Sequence, residues 1–331
     1  MENTKIYDTV IEEIYNSERK DCCVLPFLSA TIRGIARLIF TKNGFALKFQ
    51  TQDIQLITYI QSMLKKVQNV IYDIEKSFID KGYVKGEYYT LYVPVDDANV
   101  ILEKTYIIKN KCEIIDNIPN ELFEKKCCKG AYIAGLFASC GTLTTPDAVD
   151  LDDRGKTKGG YHLEFNINSD LVKDEIKKII KSIAEIDSDT IHFRANSNGI
   201  YIKNADSIGY IIAAMGCQKS FFIIQDIITS REFKNRLNRV NNSTLANIDK
   251  VVDAGEKQVL AIKLIDEKLG INVLSPQLIE FCNLRLNNYS ASLSELAQLC
   301  VPPSTKSGMN HRMRKVLELA EDIRTKEEEK N

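Results

Sequence analysis

Ala36-Arg-Leu-Ile-Phe-Thr-Lys-Asn-Gly-Phe-Ala-Leu-Lys-Phe-Gln50 holds two runs rich in apolar residues on either side of Asn43-Gly44. Asn-Gly between alternating runs is the strongest short-range signal of a β-hairpin, because its backbone twist matches that of the strands it joins. The expected strands are residues 36–40 and 45–50, with an apolar helix over 25–37 leading into them. Outward from the hairpin come a helix over 54–67, strands over 70–75 and 88–95, and a helix beginning near Asp97. The same order returns further on: helix 129–140, strands near 141–144 and over 161–166, helix 171–184, strands 191–194 and 199–203, helix 205–215. Phe45-Ala-Leu-Lys-Phe49 and Tyr161-His-Leu-Glu-Phe165 take the same place in the two copies. Each copy reads α-β-β-α-β-β-α, which makes the fold class α+β with a duplicated unit.

The leading helix of the second copy carries Ala131, Gly135 and Ser139 at spacing four, with Ala134 and Ala138 on the neighbouring stripe. Residues four apart share a helix face, and small side chains there let two backbones approach closely. Such a face also suits an ordinary tight core contact. In a duplicated chain it predicts two equivalent helices, one per copy, packed along a pseudo-twofold axis. From about residue 230 the strand patterns vanish. A polar, basic stretch over 231–240 is expected to break at Asn241-Asn242-Ser243, before an amphipathic helix over 246–270 and a helix over 277–286 opened by Pro276. The expected division is 1–120 for the first half, 121–225 for the second, and 226–331 for an all-α domain.

Composition fits a globular chain. Its 331 residues are 44% hydrophobic and 27% charged, and no apolar run reaches the ~18 residues of a membrane helix. The first eight residues carry acids and no apolar core, so they do not read as a signal peptide, and a cytoplasmic address is expected. Nine cysteines stand without a C-x-x-C, two pairs of them adjacent: Cys22-Cys23 and Cys127-Cys128. An odd, scattered set is no disulfide framework. The three histidines, His162, His192 and His311, lie far apart, so no Cys/His metal site is expected, and most thiols read as small buried hydrophobes. No cofactor motif is present either; Gly159-Gly160 lacks the lysine and helix of a phosphate loop.

Net charge is -1, so the distribution of charge matters more than its sum. Residues 302–317 hold Lys306, His311, Arg312, Arg314 and Lys315 and no acid. Just before them, Ser292-Leu-Ser-Glu295 is a capping box that opens a short helix over 293–299, with Leu293, Leu296, Ala297 and Cys300 inward. Val301-Pro302-Pro303 must end that helix. A second helix is expected from Ser304 or Thr305 through Leu319, with Met309, Met313, Val316, Leu317 and Ala320 as its apolar stripe. Its exposed face then holds Lys306, Ser307, Asn310, His311, Arg312, Arg314 and Lys315. Asn and Arg can pair with adenine and guanine edges, while Ser, Lys and helix N-terminal amides take phosphates. A short helix, a tight turn and a polar-basic second helix is the helix-turn-helix plan, with the second helix in the major groove. A solvated basic face on an ordinary bundle is the plain alternative. The expected partner is double-stranded DNA, bound through Ser292, Ser304, Thr305 and the seven residues of that face, and no membrane partner is expected.

Lys306-Ser-Gly-Met-Asn-His-Arg-Met-Arg-Lys315, following Ser292-Leu-Ser-Glu-Leu-Ala297, resembles the helix-turn-helix of the WhiA family of bacterial DNA-binding proteins. Asn238-Arg239, Asn242, Ala246-Asn247 and Lys250 match a second family element, and Asp266-Glu267 and Tyr161-His-Leu-Glu164 match two more. Ser243-Thr-Leu245 departs from the family's Cys-Glu-Thr, and the acid-rich loop over 145–158 is longer than the family's. The resemblance covers nearly the whole chain. It implies a duplicated LAGLIDADG-type domain, akin to homing endonucleases and pseudo-dimeric within one chain, followed by the all-α helix-turn-helix domain. It implies transcription regulation in cell division and chromosome segregation, near the nucleoid, with other transcription regulators as a further partner class.

The rival this raises is a nuclease. Endonucleases of that type place a carboxylate near the C-terminal end of each central helix to hold divalent cations. The corresponding positions here are Ile35 and Cys140, and neither an alkyl chain nor a soft thiol suits a hard cation. No catalytic residue is therefore expected. Asp147, Asp150, Asp152 and Asp153 read as solvated acids on a loop. A third possibility is a duplicated domain that senses a ligand or protein and gates the helix-turn-helix.

Overall fold

The computed structural model describes residues 2–81, 84–146, 159–167, 172–184, 188–194 and 199–328. The chain forms two compact units, residues 1–233 and 234–331.

In the first unit, α1 (Glu2–Asn16) precedes α2 (Asp21–Ile35). The strands β1 (Arg37–Thr41) and β2 (Gly44–Thr51) form the expected hairpin, with α3 (Ile54–Gln68) after them. The turn sits one residue earlier than the sequence places it. Thr41 pairs with Gly44, so Lys42 and Asn43 form the loop. Gly44 takes φ +122, and a Cβ there would meet the Asn99 side chain. That side chain clamps the turn: its Oδ1 accepts from the Phe45 amide at 3.1 Å, and its Nδ2 donates to the Asn43 carbonyl at 3.1 Å.

Next come β3 (Ile74–Lys81), β4 (Val84–Val93) and α4 (Val95–Lys104), which carries Asn99. β3 lies later than the expected 70–75. Its charges hide it from a search for apolar runs, yet they pair across the ladder, Lys76 with Glu87 at 2.8 Å and Lys85 with Asp80 at 3.1 Å. Charged side chains are also how an edge strand avoids pairing with other chains. A short hairpin, β5 (Ile108–Lys109) and β6 (Glu113–Ile114), closes the first half.

The second half repeats the plan as α5 (Lys126–Cys140), β7 (Gly141–Thr144), β8 (His162–Asn166), α6 (Lys173–Ala184), β9 (Ile191–Phe193), β10 (Gly199–Ile202) and α7 (Ala205–Ala214). The strand orders are β1-β2-β4-β3 and β7-β8-β10-β9, antiparallel throughout, so the duplication is visible in topology.

The two halves meet along α2 and α5. From Cys128 to Ala138 nearly every residue of α5 is buried, as a helix apolar all round requires. The small-residue spacing is what lets α2 in. A Cβ on Gly135 would overlap the Phe27 carbonyl oxygen and lie 3.2 Å from the Ala30 Cβ, and one on Gly34 would overlap Ser139. The inward faces of both sheets fill the same core, with Phe49, Leu91, Phe165 and Ile200 fully buried. The sequence reading assigns no element to α1, yet α1 buries Val10 and Ile14 in that core.

The long helix α8 (Gln218–Leu269) runs through the boundary between the units. Its start is capped by Glu13 of α1, which accepts from the Lys219 and Ser220 amides at 2.8 and 2.9 Å. The expected break at Asn241-Asn242-Ser243 does not occur, and the helix continues for 52 residues. Asn and Ser lower helix propensity by less than about 0.7 kcal/mol each relative to Ala, whereas Gly or Pro, both absent there, would cost more. Residues 235–250 are exposed.

The second unit adds α9 (Pro276–Asn287), α10 (Leu293–Leu299) and α11 (Lys306–Glu328) to the end of α8. Ile262, Ile265, Phe281, Cys282, Leu296, Ala297, Met309, Val316 and Ala320 form its separate core.

Candidate nucleic-acid interface

The α10–α11 pair is assembled by local bonds and by two charged residues from elsewhere in the unit. The capping box forms as the sequence predicts: the Ser292 hydroxyl accepts from the Glu295 amide at 3.3 Å, and the Ser292 amide donates to Glu295 Oε2 at 2.7 Å. That backbone bond from Ser292 holds the Glu295 carboxyl below its ordinary pKa. Ser292 is thus engaged in its own helix start. Past the two prolines, the Ser304 amide returns to the Ala297 carbonyl at 2.8 Å and closes the turn. Thr305 caps α11, its hydroxyl accepting from the Gly308 amide at 3.1 Å. A Cβ at Gly308 would come 2.9 Å from Ser304 Oγ, so a larger residue there would turn that hydroxyl aside.

α11 is longer than the expected span to Leu319, reaching Glu328. Met309, Val316 and Ala320 point into the core, and Cys300 Sγ lies 3.6 Å from Met309 Sδ. Ser307, His311, Arg314 and Lys315 are all exposed; His311 follows Ser307 by four residues, and Arg314 and Lys315 follow His311 by three and four, which puts them on one stripe. Lys306 and Thr305 are exposed beside them, while Asn310 and Ser304 are half-buried. Three permanent cations, Lys306, Arg314 and Lys315, therefore face solvent together with a histidine and hydroxyl groups.

Arg312 departs from the expectation that it shares this exposed face. Its side chain turns inward, 16% exposed, and donates to Glu280 Oε2 of α9 at 2.8 Å. The same Glu280 accepts from the Val301 amide at 3.0 Å, so one carboxylate ties the turn and α11 to α9. The physical reason is position: 312 lies between the outward stripe and buried Met309 and Val316, close enough to α9 for a long side chain to reach back.

A second charged residue, Arg285, is not among the site residues expected from the sequence. Arg285 is 1% exposed. Its Nε donates to Gln258 Oε1 at 2.8 Å, and one terminal nitrogen reaches the carbonyls of Asn288, Tyr289 and Ala291 at 3.1, 3.1 and 2.6 Å. The loop before α10 is wrapped around that guanidinium. One signal was available: Arg285 lies four residues after Phe281 and three after Cys282, on the buried face of α9.

In the first unit, Ile35 and Cys140 end α2 and α5 and are both half-buried. The Cys140 thiol donates to the Leu136 carbonyl at 3.3 Å. Burial pushes its pKa up to about 12, against hydrogen bonds from Ser139 and Asn166 that favour the thiolate. A neutral thiol and an alkyl chain supply no oxygen ligand for a hard cation. The loop acids Asp147, Asp150, Asp152 and Asp153 lie outside the described residues.

The expectation of scattered cysteines needs correction. Cys22, Cys23, Cys127 and Cys128 converge, all four sulfur atoms lying within 4.8 Å of one another. Spacing along the chain hides this, because the duplication brings together residues about a hundred positions apart. The other five described cysteines stand outside this group.

Two sheets of one strand order around a central helix pair, followed by a capped helix-turn-helix, define a LAGLIDADG-like domain joined to a helical helix-turn-helix domain. The WhiA LAGLIDADG-like domain description matches residues 129–234, and the WhiA C-terminal HTH domain matches residues 237–320. The chain is 30% identical over 317 residues to "Probable cell division protein WhiA" of Bacillus licheniformis, covering 95% of each chain, and matches the Bacillus subtilis protein of that name to the same extent. Full-length DUF199/WhiA from Thermotoga maritima shares the fold, with a TM-score of 0.51 at 21% identity over 95% of this chain and 96% of that one. The chain belongs to the WhiA family. Among the described residues, no helix is long and apolar enough to cross a membrane.

Proposed function

We propose that this protein is a sequence-specific binder of double-stranded DNA that regulates transcription in cell division and chromosome segregation, and that it is not an enzyme. The observation that carries the reading is the exposed stripe Ser307, His311, Arg314 and Lys315 on α11, flanked by Lys306 and set on a capped, tightly cored helix pair. Lys306, Arg314, Lys315 and the first amides of α11 take phosphates, while Asn310 and His311 meet base edges in a major groove. Arg312 is a positioning residue in this scheme, and Ser292, Ser304 and Thr305 shape the turn and helix starts. The names of the relatives support the link to cell division. Non-catalysis rests on Ile35 and Cys140, which offer no hard ligand at the ends of the central helices. We further propose a cytoplasmic, nucleoid-associated monomer whose pseudo-twofold lies within residues 1–225, with the helix-turn-helix domain in 226–331 and other transcription regulators as partners.

The test is titration of the full chain against genomic DNA over a salt series, with magnesium present and the DNA examined for breaks. Each phosphate contact contributes about -0.9 to the slope of log affinity against log salt. Lys306→Ala, Arg314→Ala and Lys315→Ala together should flatten that slope by about 3 and leave the DNA intact. An unchanged slope would refute the α11 interface, and magnesium-dependent cutting would refute the non-enzymatic reading.

A further inference from the structure

The four converging thiols stand at the opposite ends of the central helices from Ile35 and Cys140. Cys22 and Cys23 are the second and third residues of α2, and Cys127 and Cys128 are the second and third of α5. The pseudo-twofold therefore delivers two equivalent vicinal pairs to one point. Thirteen residues of helix, about 20 Å at 1.5 Å per residue, separate Cys22 from Ile35, so this cluster is not a relic of a nuclease centre.

Its geometry is specific. Cys22 Sγ lies 3.9 Å from both Cys23 Sγ and Cys127 Sγ, and no two of the four sulfurs are more than 4.8 Å apart. Four thiolates around a tetrahedral zinc at about 2.3 Å stand about 3.8 Å from one another. A disulfide needs about 2.05 Å, and a cluster of several irons spreads its cysteines wider than this group. Cys23 and Cys128 are buried, while Cys22 and Cys127 are half-buried, which leaves an approach for an ion.

We propose that Cys22, Cys23, Cys127 and Cys128 form a structural zinc site that fastens the two halves of the duplicated domain together at the N-termini of α2 and α5. Binding converts four thiols and Zn²⁺ into a zinc tetrathiolate of net charge -2 with release of four protons. A tetrahedral set of soft sulfur donors suits zinc or iron and disfavours the hard ions Mg²⁺ and Ca²⁺. The positive ends of two helix dipoles and the nearby Lys20 offset the excess negative charge. The site is independent of the DNA-binding reading.

The full chain, purified under reducing conditions, should retain one zinc per chain by elemental analysis. After stripping, it should take up one Co²⁺ with the intense visible bands of tetrahedral thiolate coordination. Cys127→Ser changes one half-buried atom, and circular dichroism would show whether it folds. It should weaken the metal more than about a hundredfold, since even outer-shell partners are worth 10–100-fold. Cys112→Ser, an exposed thiol outside the cluster, should bind as the wild type does. Zinc should raise the melting temperature of the wild type and not of folded Cys127→Ser. Absence of zinc and of cobalt bands in the wild type, or full binding in Cys127→Ser, would overturn the proposal.

Discussion

Replacing Glu280 by glutamine removes a charge from the Arg312 pair while leaving Oε1 to accept from the Val301 amide. Exposed ion pairs contribute about 0.2–1 kcal/mol, and breaking a fully buried one costs about 3–5 kcal/mol. The side chains here are 16% and 31% exposed, which places the loss between those limits, at about 1–2 kcal/mol. In a unit of about 100 residues each kcal/mol moves the melting temperature by about 4–8 °C, so the transition of residues 234–331 should fall by about 4–16 °C. Arg312→Ala should do the same, and the double variant should lose little more than either single one. DNA titration of the same variants supplies the functional half. If Arg312 positions α11, affinity for specific and non-specific DNA falls together while the salt slope stays unchanged. Calorimetry of the full chain and a salt-series titration measure both. A slope reduced by about 1 in Arg312→Ala, or relaxed specificity at one base pair, with melting unchanged, would refute the positioning role and return Arg312 to the DNA face.

Arg285→Met should destabilise the second unit by about 2–4 kcal/mol in urea unfolding, because it strands Gln258 Oε1 and the Ala291 carbonyl; a midpoint equal to wild type would contradict the account of the α9–α10 loop. Gly135→Val should cost the first unit about 3 kcal/mol, the upper range for overpacking, since the Phe27 carbonyl cannot move aside. Glu164 is buried and accepts from His162 and Arg194 at 2.9 and 2.7 Å. Burial alone would raise its pKa, but those two partners outweigh it and hold the carboxyl below 4.5. A depressed folded value means the contribution is fully present above the unfolded value and is lost as pH falls below about 4.5 through the folded one. Glu164→Gln should therefore flatten the acid limb of a stability–pH curve, and an unaltered limb would dismiss the linkage. Single replacement of Lys315 by alanine should weaken all DNA sequences alike and reduce the salt slope by about 1, measured by the same titration.

Much of this protein is written in local pattern. The Asn43-Gly44 hairpin, the matched runs at 45–49 and 161–165, the capping box at Ser292 and the two-proline turn each depend on residues a few positions apart. Local rules suffice for them, and the duplicated unit and helix-turn-helix follow. The α1 helix was equally legible, since Ile6, Val10 and Ile14 recur at spacing four. The small-residue stripe of α5 announced a close neighbour, though not that Gly135 meets the Phe27 carbonyl.

Other features depended on which distant residues folding brings together. Arg312 lies in an outward-reading motif, and only Glu280 on another helix turns it inward. Arg285 looks like any surface arginine until α8 and the 288–291 loop enclose it. Asn241-Asn242-Ser243 reads as a break, yet its weak propensities are too small to interrupt a long helix. Most of all, Cys22-Cys23 and Cys127-Cys128 are unremarkable pairs along the chain. They become one four-sulfur cluster because the pseudo-twofold superimposes the starts of α2 and α5. Sequence patterns carry secondary structure and its periodicity, which are short-range properties of the backbone. Where charged and sulfur-bearing side chains end up is set by long-range packing, which only the tertiary structure decides.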